Sequence, residues 1–335
     1  MLIDSYGRTL DYLRVSVTDR CNLRCIYCMP PEGVEWKTHE TMLRFEETLR
    51  ICQIMAELGI RKIRVTGGEP LVRRGLSAFI KKLKALEGIE KVTLTTNGFL
   101  LGNYLDEAET LGSDSLPDGI NISLDAINPE SFRRITRQDS ISPVNILMFM
   151  DRLLEKGIVV KINCVPVHSY NEEEILPLAA LAKDKNIVVR FIELMPLGSA
   201  AELKPVPGSE VVLLLRNAYG TLTPFYGLGG SGPAVYYSLP GFAGKIGFIN
   251  AVSHGFCESC NRLRLSSEGF LKLCLSDELG LDLRKPLRAG ASDRELAQVI
   301  TEAAAKKPRF HNLSEVYGTH PAKGQHPDGM SGIGG

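Results

Sequence analysis

The chain has 335 residues, of which 44% are apolar and 23% charged, with 39 basic residues balancing 39 acidic ones. That length exceeds what one hydrophobic core usually serves, so two domains, or one with an appendage, are expected. The composition excludes a mainly disordered or collagen-like chain, and zero net charge gives no support to long-range attraction to nucleic acid or an anionic membrane.

No apolar run approaches the roughly eighteen residues of a spanning helix. Residues 1–20 lack a basic run followed by an apolar one, so no secretory signal is read and a cytoplasmic location is expected. In that compartment eight cysteines are poor disulfide candidates.

In chain order, Leu13, Val15 and Val17 alternate with Arg14, Ser16 and Thr18, the period of a strand. Cys21, Cys25 and Cys28 follow at once as C-x3-C-x2-C. On the mouth-side loop of a βα barrel, three close thiolates can hold three irons of a [4Fe–4S] cube and leave the fourth open to a small molecule. The alternatives are zinc, for which His39 is the nearby supplement, or three unligated thiols. Trp36 either shields this loop or simply packs.

Phe45, Leu49, Cys52 and Met55 then recur at helical spacing, and Gly59 supplies a stop. Strands are expected at 61–66, 91–97, 120–125, 158–165 and 187–193. Helices are expected near 75–87, 102–111, 143–156 and 172–185. This alternation implies a parallel sheet with helical crossovers.

A parallel strand covered on both faces should read as a continuous apolar run, yet these strands alternate. A barrel, complete or open-sided, with a polar ligand inside fits that pattern; a sheet with one exposed face is the alternative. Arg14, Lys62, Arg64, Lys161 and Arg190 take the polar positions. Leaving one such ion buried and unpaired costs on the order of several kcal/mol. Asp125 is the one evident interior carboxylate, so either a polyanionic ligand or acids on end loops must neutralise the group.

Beyond Met195 the chain is rich in Gly and Pro, with a helix near 211–218. Residues 227–232 spell Gly-x-Gly-x-x-Gly, but Pro233 and a strand-like stretch at 235–237 follow, so a dinucleotide site is rejected. Short strands at 246–275 carry Cys257, Cys260 and Cys274 as C-x2-C-x13-C. His254 would complete a zinc set. Arg262 and Arg264, sharing one strand face beside the metal, suit a bound anion and favour a second cluster with an open iron. Cys52 and Cys164 fall on apolar faces and read as small core residues. His168, His311, His320 and His326 show no partner pattern. A helix at 292–305 and a polar Gly/Pro tail at 318–335 complete the chain, which contains no internal repeat.

The first triad followed by Met29-Pro30, together with Gly67-Gly68-Glu69-Pro70, resembles the radical S-adenosylmethionine enzymes. Within them the chain is similar, end to end, to the GTP cyclases that open molybdenum cofactor biosynthesis. Residues 19–25, Thr95-Thr96-Asn97-Gly98, Ser123-Leu124-Asp125, 256–264 and the terminal Gly334-Gly335 carry that likeness. The resemblance implies an α/β fold: a partial (β/α)6 TIM-like barrel of the radical SAM type over 1–225, and a C-terminal domain over 226–335 with a second Fe–S cluster and the Gly-Gly tail.

It further implies two [4Fe–4S] clusters, with S-adenosylmethionine at the open iron of the first. Tyr27, Gly68, Ser123 and Met195 would contact that cofactor, and Glu69 would hold its amino group. A 5′-deoxyadenosyl radical would take the 3′ hydrogen of GTP, and C3′ would add to guanine C8. Arg14, Arg64, Thr95, Lys161, Arg262, Leu263 and Arg264 would bind GTP, with Lys62 and Arg190 nearby and guanine at the second cluster. Arg262, Arg264, Gly334 and Gly335 would support the reaction.

The implied partners are a flavodoxin- or ferredoxin-type electron donor, a second copy as homodimer, and cyclic pyranopterin monophosphate synthase as recipient of the product. The stretch 113–119 is longer than the family carries and is expected at the surface. The rival readings are a radical peptide modifier with an auxiliary cluster, whose C-terminal region should be richer in cysteine, and a zinc-stabilised binding module.

Overall fold

Period-two alternation becomes strand at each expected place. In the computed structural model, which describes residues 1–139, 142–227 and 232–311, these strands are β1 (Tyr12–Ser16), β2 (Lys62–Thr66), β3 (Lys91–Thr96), β4 (Gly119–Ser123), β5 (Val159–Cys164) and β6 (Val188–Ile192). They lie side by side in sequence order, every pair parallel. The crossovers are α1 (Phe45–Glu57), α2 (Leu76–Lys84), α3 (Leu101–Leu111), α4 (Pro129–Thr136) with α5 (Pro143–Glu155), and α6 (Ile175–Asp184). Leu13, Val15, Ile63, Val65, Val92 and Leu94 point toward these helices and are fully buried. The helices return the apolar faces that the sequence pattern demands: α1 buries Ile51, Cys52, Ile54 and Met55.

Beyond α7 (Gly208–Tyr219) the chain adds to both ends of the same sheet. The meander β7 (Thr223–Phe225), β8 (Val235–Ser238) and β9 (Lys245–Ile249) places β9 parallel to β6. Then β10 (Arg262–Leu265) pairs in parallel with β1 and carries β11 (Phe270–Lys272) and β12 (Gly280–Asp282) antiparallel outside it. β9 and β10 thus extend opposite ends of the parallel run, yet residues of both line one cavity. The sheet therefore wraps around that space as an open barrel. Helices α8 (Arg284–Arg288) and α9 (Asp293–Ala305) close the described chain. No helix among the described residues is long and apolar enough to cross a membrane.

Besides β7, β12 and α8, which the sequence reading did not anticipate, two features of the barrel differ from it. α4 was not anticipated: it is eight residues long, started by Asn128 accepting from the N–H groups of Glu130 and Ser131, with Phe132 and Ile135 as its buried contacts. The stretch 113–119 is not the expected surface loop. Ser113–Ser115 forms a 3-10 turn in which only Ser113 and Asp114 stay exposed. Ser115 and Leu116 are buried, and Ser115 Oγ lies 2.8 Å from the Ala108 carbonyl and 2.6 Å from that of Gly112. The single proton of that hydroxyl, together with the Ser115 N–H donated to the Gly112 carbonyl at 3.0 Å, ties the turn back to the end of α3.

Candidate active site

One cavity opens at the carboxyl ends of the parallel strands, where open α/β folds hold their ligands, and a second continues from it down the strands as far as Tyr12 and Arg262, the first residues of β1 and β10. The first lies over β1–β5 and is lined by Cys21, Cys25 and Cys28 together with Tyr27, Gly68, Glu69, Thr95, Asn97, Ser123, Asp125 and Met195. The cysteine loop is held down by the turn after β2. Gly68 N–H donates to the Thr18 carbonyl and Glu69 N–H to that of Arg20, both at 2.7 Å. A Cβ on Gly68 would stand 2.4 Å from the Arg20 oxygen and 2.5 Å from that of Asp19, so only glycine permits this approach.

Glu69 itself is buried and accepts from Thr96 Oγ1 (2.7 Å), Asn97 N–H (2.7 Å) and Leu71 N–H (3.0 Å). Burial pushes its carboxyl up to about 7 against these donors. Tyr27 donates to Asp125 Oδ2 at 2.7 Å, and the Val165 N–H donates to Oδ1 at 2.8 Å. Burial raises Asp125 to about 6.

The three thiols fit an iron cluster on chemical grounds. The Leu23 N–H points at Cys21 Sγ from 3.4 Å and the Asn97 amide from 4.0 Å, the donors a metal-bound thiolate uses. Burial raises Cys21 to about 11 and Cys28 to about 12 in the metal-free chain, so a bound cation is needed to make them thiolates. Among the described residues no three His, Cys, Asp or Glu side chains are drawn together tightly enough for a single ion. A cube asks for less, because each thiolate takes a different iron. His39, the zinc alternative, is instead 3.2 Å from Arg20 Nη2 on the exposed surface.

The second cavity shares Asn163, Ile192 and Met195 with the first as a common wall. The empty space between its walls, open solvent at the mouth included, is about 1150 Å³. Cys257, Cys260 and Cys274 line it, with Arg14, Arg64, Arg190, Arg262, Arg264 and Lys307, and no Asp or Glu is among its described lining residues. Arg190 and Arg264 are each lowered to about 10, by burial first and then by a neighbouring arginine (Arg64 and Arg262 respectively). Burial would raise Cys260, but Arg262 and Lys307 bring its thiol down to about 7. Arg262 Nη2 lies 3.7 Å from Cys260 Sγ, and its guanidinium lies 4.6 Å from the centre of the Phe256 ring. His254, the zinc supplement, is exposed and bonded to Ser253 Oγ at 3.2 Å.

The residues expected around S-adenosylmethionine, namely Tyr27, Gly68, Glu69, Ser123 and Met195, all line the first cavity. Of those expected around GTP, Arg14, Arg64, Arg190, Arg262 and Arg264 line the second, and Thr95 lines the first. Leu263 lies between Arg262 and Arg264, but only its backbone can face the same way as theirs. It is fully buried in the apolar core on the opposite face of β10, because neighbours on a strand alternate, so its side chain is not offered to the cavity. Lys62 sits at the amino end of β2, 4.0 Å from Asp11, and Lys161 lies two residues below Asn163 with its ammonium 5.6 Å from the centre of the Tyr236 ring. Neither lines these two cavities. Gly334, Gly335, His320 and His326 lie outside the described residues. The sequence reading missed Tyr12, Lys307 and His311; alternation with Arg14 signals Tyr12, whereas nothing local signals the other two.

Residues 15–182 match the Radical SAM superfamily model, and residues 187–313 match the Molybdenum Cofactor Synthesis C model. The fold, the first triad and these matches define a radical S-adenosylmethionine enzyme. The chain is 43% identical to the GTP 3′,8-cyclase of Clostridium perfringens (strain 13 / Type A) over 310 residues, covering 92% of this chain and 94% of that one. It is 44% identical to the GTP 3′,8-cyclase of Heliobacterium modesticaldum over 325 residues, covering 96% and 98%. The chain belongs to the GTP 3′,8-cyclase family. In fold alone it is similar to Streptococcus suis SuiB bound to S-adenosylmethionine, with a TM-score of 0.60 at 13% identity, covering 94% of this chain and 75% of that one.

Proposed function

We propose that the chain converts GTP into (8S)-3′,8-cyclo-7,8-dihydroguanosine 5′-triphosphate, the first step of molybdenum cofactor biosynthesis. One observation carries the reading: two cysteine triads open onto adjoining cavities, and the second holds a cluster of cations with no carboxylate among its described lining. A triphosphate supplies the missing negative charge. When bound, a first [4Fe–4S] cluster and S-adenosylmethionine would supply a 5′-deoxyadenosyl radical.

The chain's own residues do the rest. Cys21, Cys25 and Cys28 would hold the first cluster, and Cys257, Cys260 and Cys274 would hold a second in the cavity that takes GTP. Glu69 and Tyr27 orient S-adenosylmethionine, with Met195 on the wall between the cavities. Arg14, Arg64, Arg262 and Arg264 grip GTP, with Arg190 and Lys161 beneath them. The walls of the two adjoining cavities limit the access of bulk water to the reacting carbon. Residues 226–335 act as the second-cluster domain, a flavodoxin or ferredoxin delivers the electron, and cyclic pyranopterin monophosphate synthase takes the product.

Anaerobic incubation of the reconstituted chain with GTP, S-adenosylmethionine and dithionite should yield 5′-deoxyadenosine and a cyclised nucleotide. Neither product, from chains carrying about eight irons, would contradict the proposal.

A further inference from the structure

The first ten residues precede both family matches, yet they reach the second triad. Ile3 and Thr9 form an antiparallel bridge around a turn in which Gly7 has φ +78°. Asp4 Oδ1 accepts from the N–H groups of Tyr6 (2.9 Å) and Arg8 (3.0 Å), and Oδ2 accepts Arg8 Nε at 2.5 Å. Both side chains are buried.

The rest of the Arg8 fork points away from Asp4, at three backbone carbonyls. Nη1 donates to Cys257 (2.6 Å) and Arg309 (3.0 Å), and Nη2 to Pro308 (2.7 Å). The same turn caps α9: Ser5 Oγ donates to the Ala305 carbonyl at 2.6 Å. The segment that follows, 307–311, is then tied to the triad from its other side. Lys307 Nζ donates to the carbonyls of Arg262 (2.9 Å) and Leu273, which flank Cys260 and Cys274. The His311 N–H donates to Cys257 Sγ at 3.4 Å.

We propose that Arg8 is a positioning residue for the second cysteine triad, fastening the backbone at Cys257 to the segment 307–311. Its planar fork of N–H groups explains the residue type, because an ammonium in its place could not reach three carbonyls and a carboxylate together. Asp4 aims that guanidinium by accepting from its Nε. Losing either partner leaves the other buried without its counter-charge, which loosens the attachment rather than the barrel. The inference rests on the reading of Cys257, Cys260 and Cys274 as a functional triad, but its alkylation test does not.

Alkylation of the metal-free full chain by iodoacetamide, mapped by mass spectrometry, reads each thiol separately. In Arg8→Ala, Cys257 should react about ten-fold faster, the factor that ~1.4 kcal/mol of lost local closure gives. Cys21 and the fully buried Cys52 should keep their rates, and Arg8→Lys should not restore that of Cys257. An unchanged ratio of Cys257 to Cys21 reactivity overturns the proposal. Should Cys52 also quicken, as global unfolding demands, the milder Asp4→Asn decides: a selective rise at Cys257 supports the role, and none refutes it. After anaerobic reconstitution, Arg8→Ala should lose iron toward half the wild-type content while still cleaving S-adenosylmethionine. A wild-type chain that never binds more than about four irons would defeat the second-cluster reading and leave the alkylation result standing.

Discussion

Arg14 on β1 and Arg264 on β10 are register partners in adjacent parallel strands, and both line the second cavity. Burial first, and then the other's charge, lowers Arg14; burial and Arg262 lower Arg264. Gathering like charges in a half-closed space works against folding, and a bound polyanion reverses the sign. The arrangement is therefore a binding device that opposes stability until it is filled.

Arg264→Met should separate those two effects. GTP affinity should fall by about 1.5–3 kcal/mol, the worth of a charge-assisted hydrogen bond, or roughly ten- to a hundred-fold. The ligand-free chain should melt at a higher temperature, because one of the crowded charges is gone. Equal GTP affinity in variant and wild type would remove the phosphate role.

Lys161 gives the pH dependence. Burial, then Arg190, lowers it to about 8 from the usual 10.5. The folded state thus loses its proton before the unfolded state does, and stability of the ligand-free chain should rise with pH between about 8 and 10.5. A triphosphate favours the ammonium, so GTP binding near pH 8.5 should take up a proton, and affinity should weaken as pH rises. Calorimetry in buffers of different ionisation enthalpy measures the uptake, which Lys161→Met should abolish.

The two triads should divide the chemistry. Cys21→Ser should abolish S-adenosylmethionine cleavage, whereas Cys257→Ser should retain cleavage and lose GTP turnover. Comparable loss of 5′-deoxyadenosine in both variants would contradict separate roles.

Gly68→Ala tests the turn that seats the first triad. Its Cβ meets backbone oxygens at 2.4 and 2.5 Å, which cannot swing aside as a side chain would. Overpacking of this kind costs roughly 1–3 kcal/mol and should displace the cysteine loop, lowering both the melting temperature and the iron bound after reconstitution.

Much of this was legible in the sequence because the barrel interior is polar. Arg14, Arg64, Asn163 and Arg190 alternate with fully buried apolar neighbours, so strand period and lining could be read together. The cysteine spacings marked both triads because their members are close in sequence: Cys21, Cys25 and Cys28 share one loop, and Cys257 and Cys260 are joined to Cys274 by the single β10–β11 hairpin. What escaped depends on long-range placement. No local pattern tells β10 to pair with β1 rather than close on β9. In the Lys306-Lys307 pair, just past α9, only the second lysine turns inward, and it does so because the Arg262 and Leu273 carbonyls await it. α4 stayed hidden because one short turn pair with two apolar contacts hardly rises above loop composition.

The adjoining cavities make their sharpest demand on atom transfer. With GTP carrying deuterium at C3′, anaerobic turnover should place that deuterium in 5′-deoxyadenosine, one atom for each nucleotide cyclised. If 5′-deoxyadenosine forms with GTP bound yet carries no deuterium, the two cavities do not bring cofactor and substrate together.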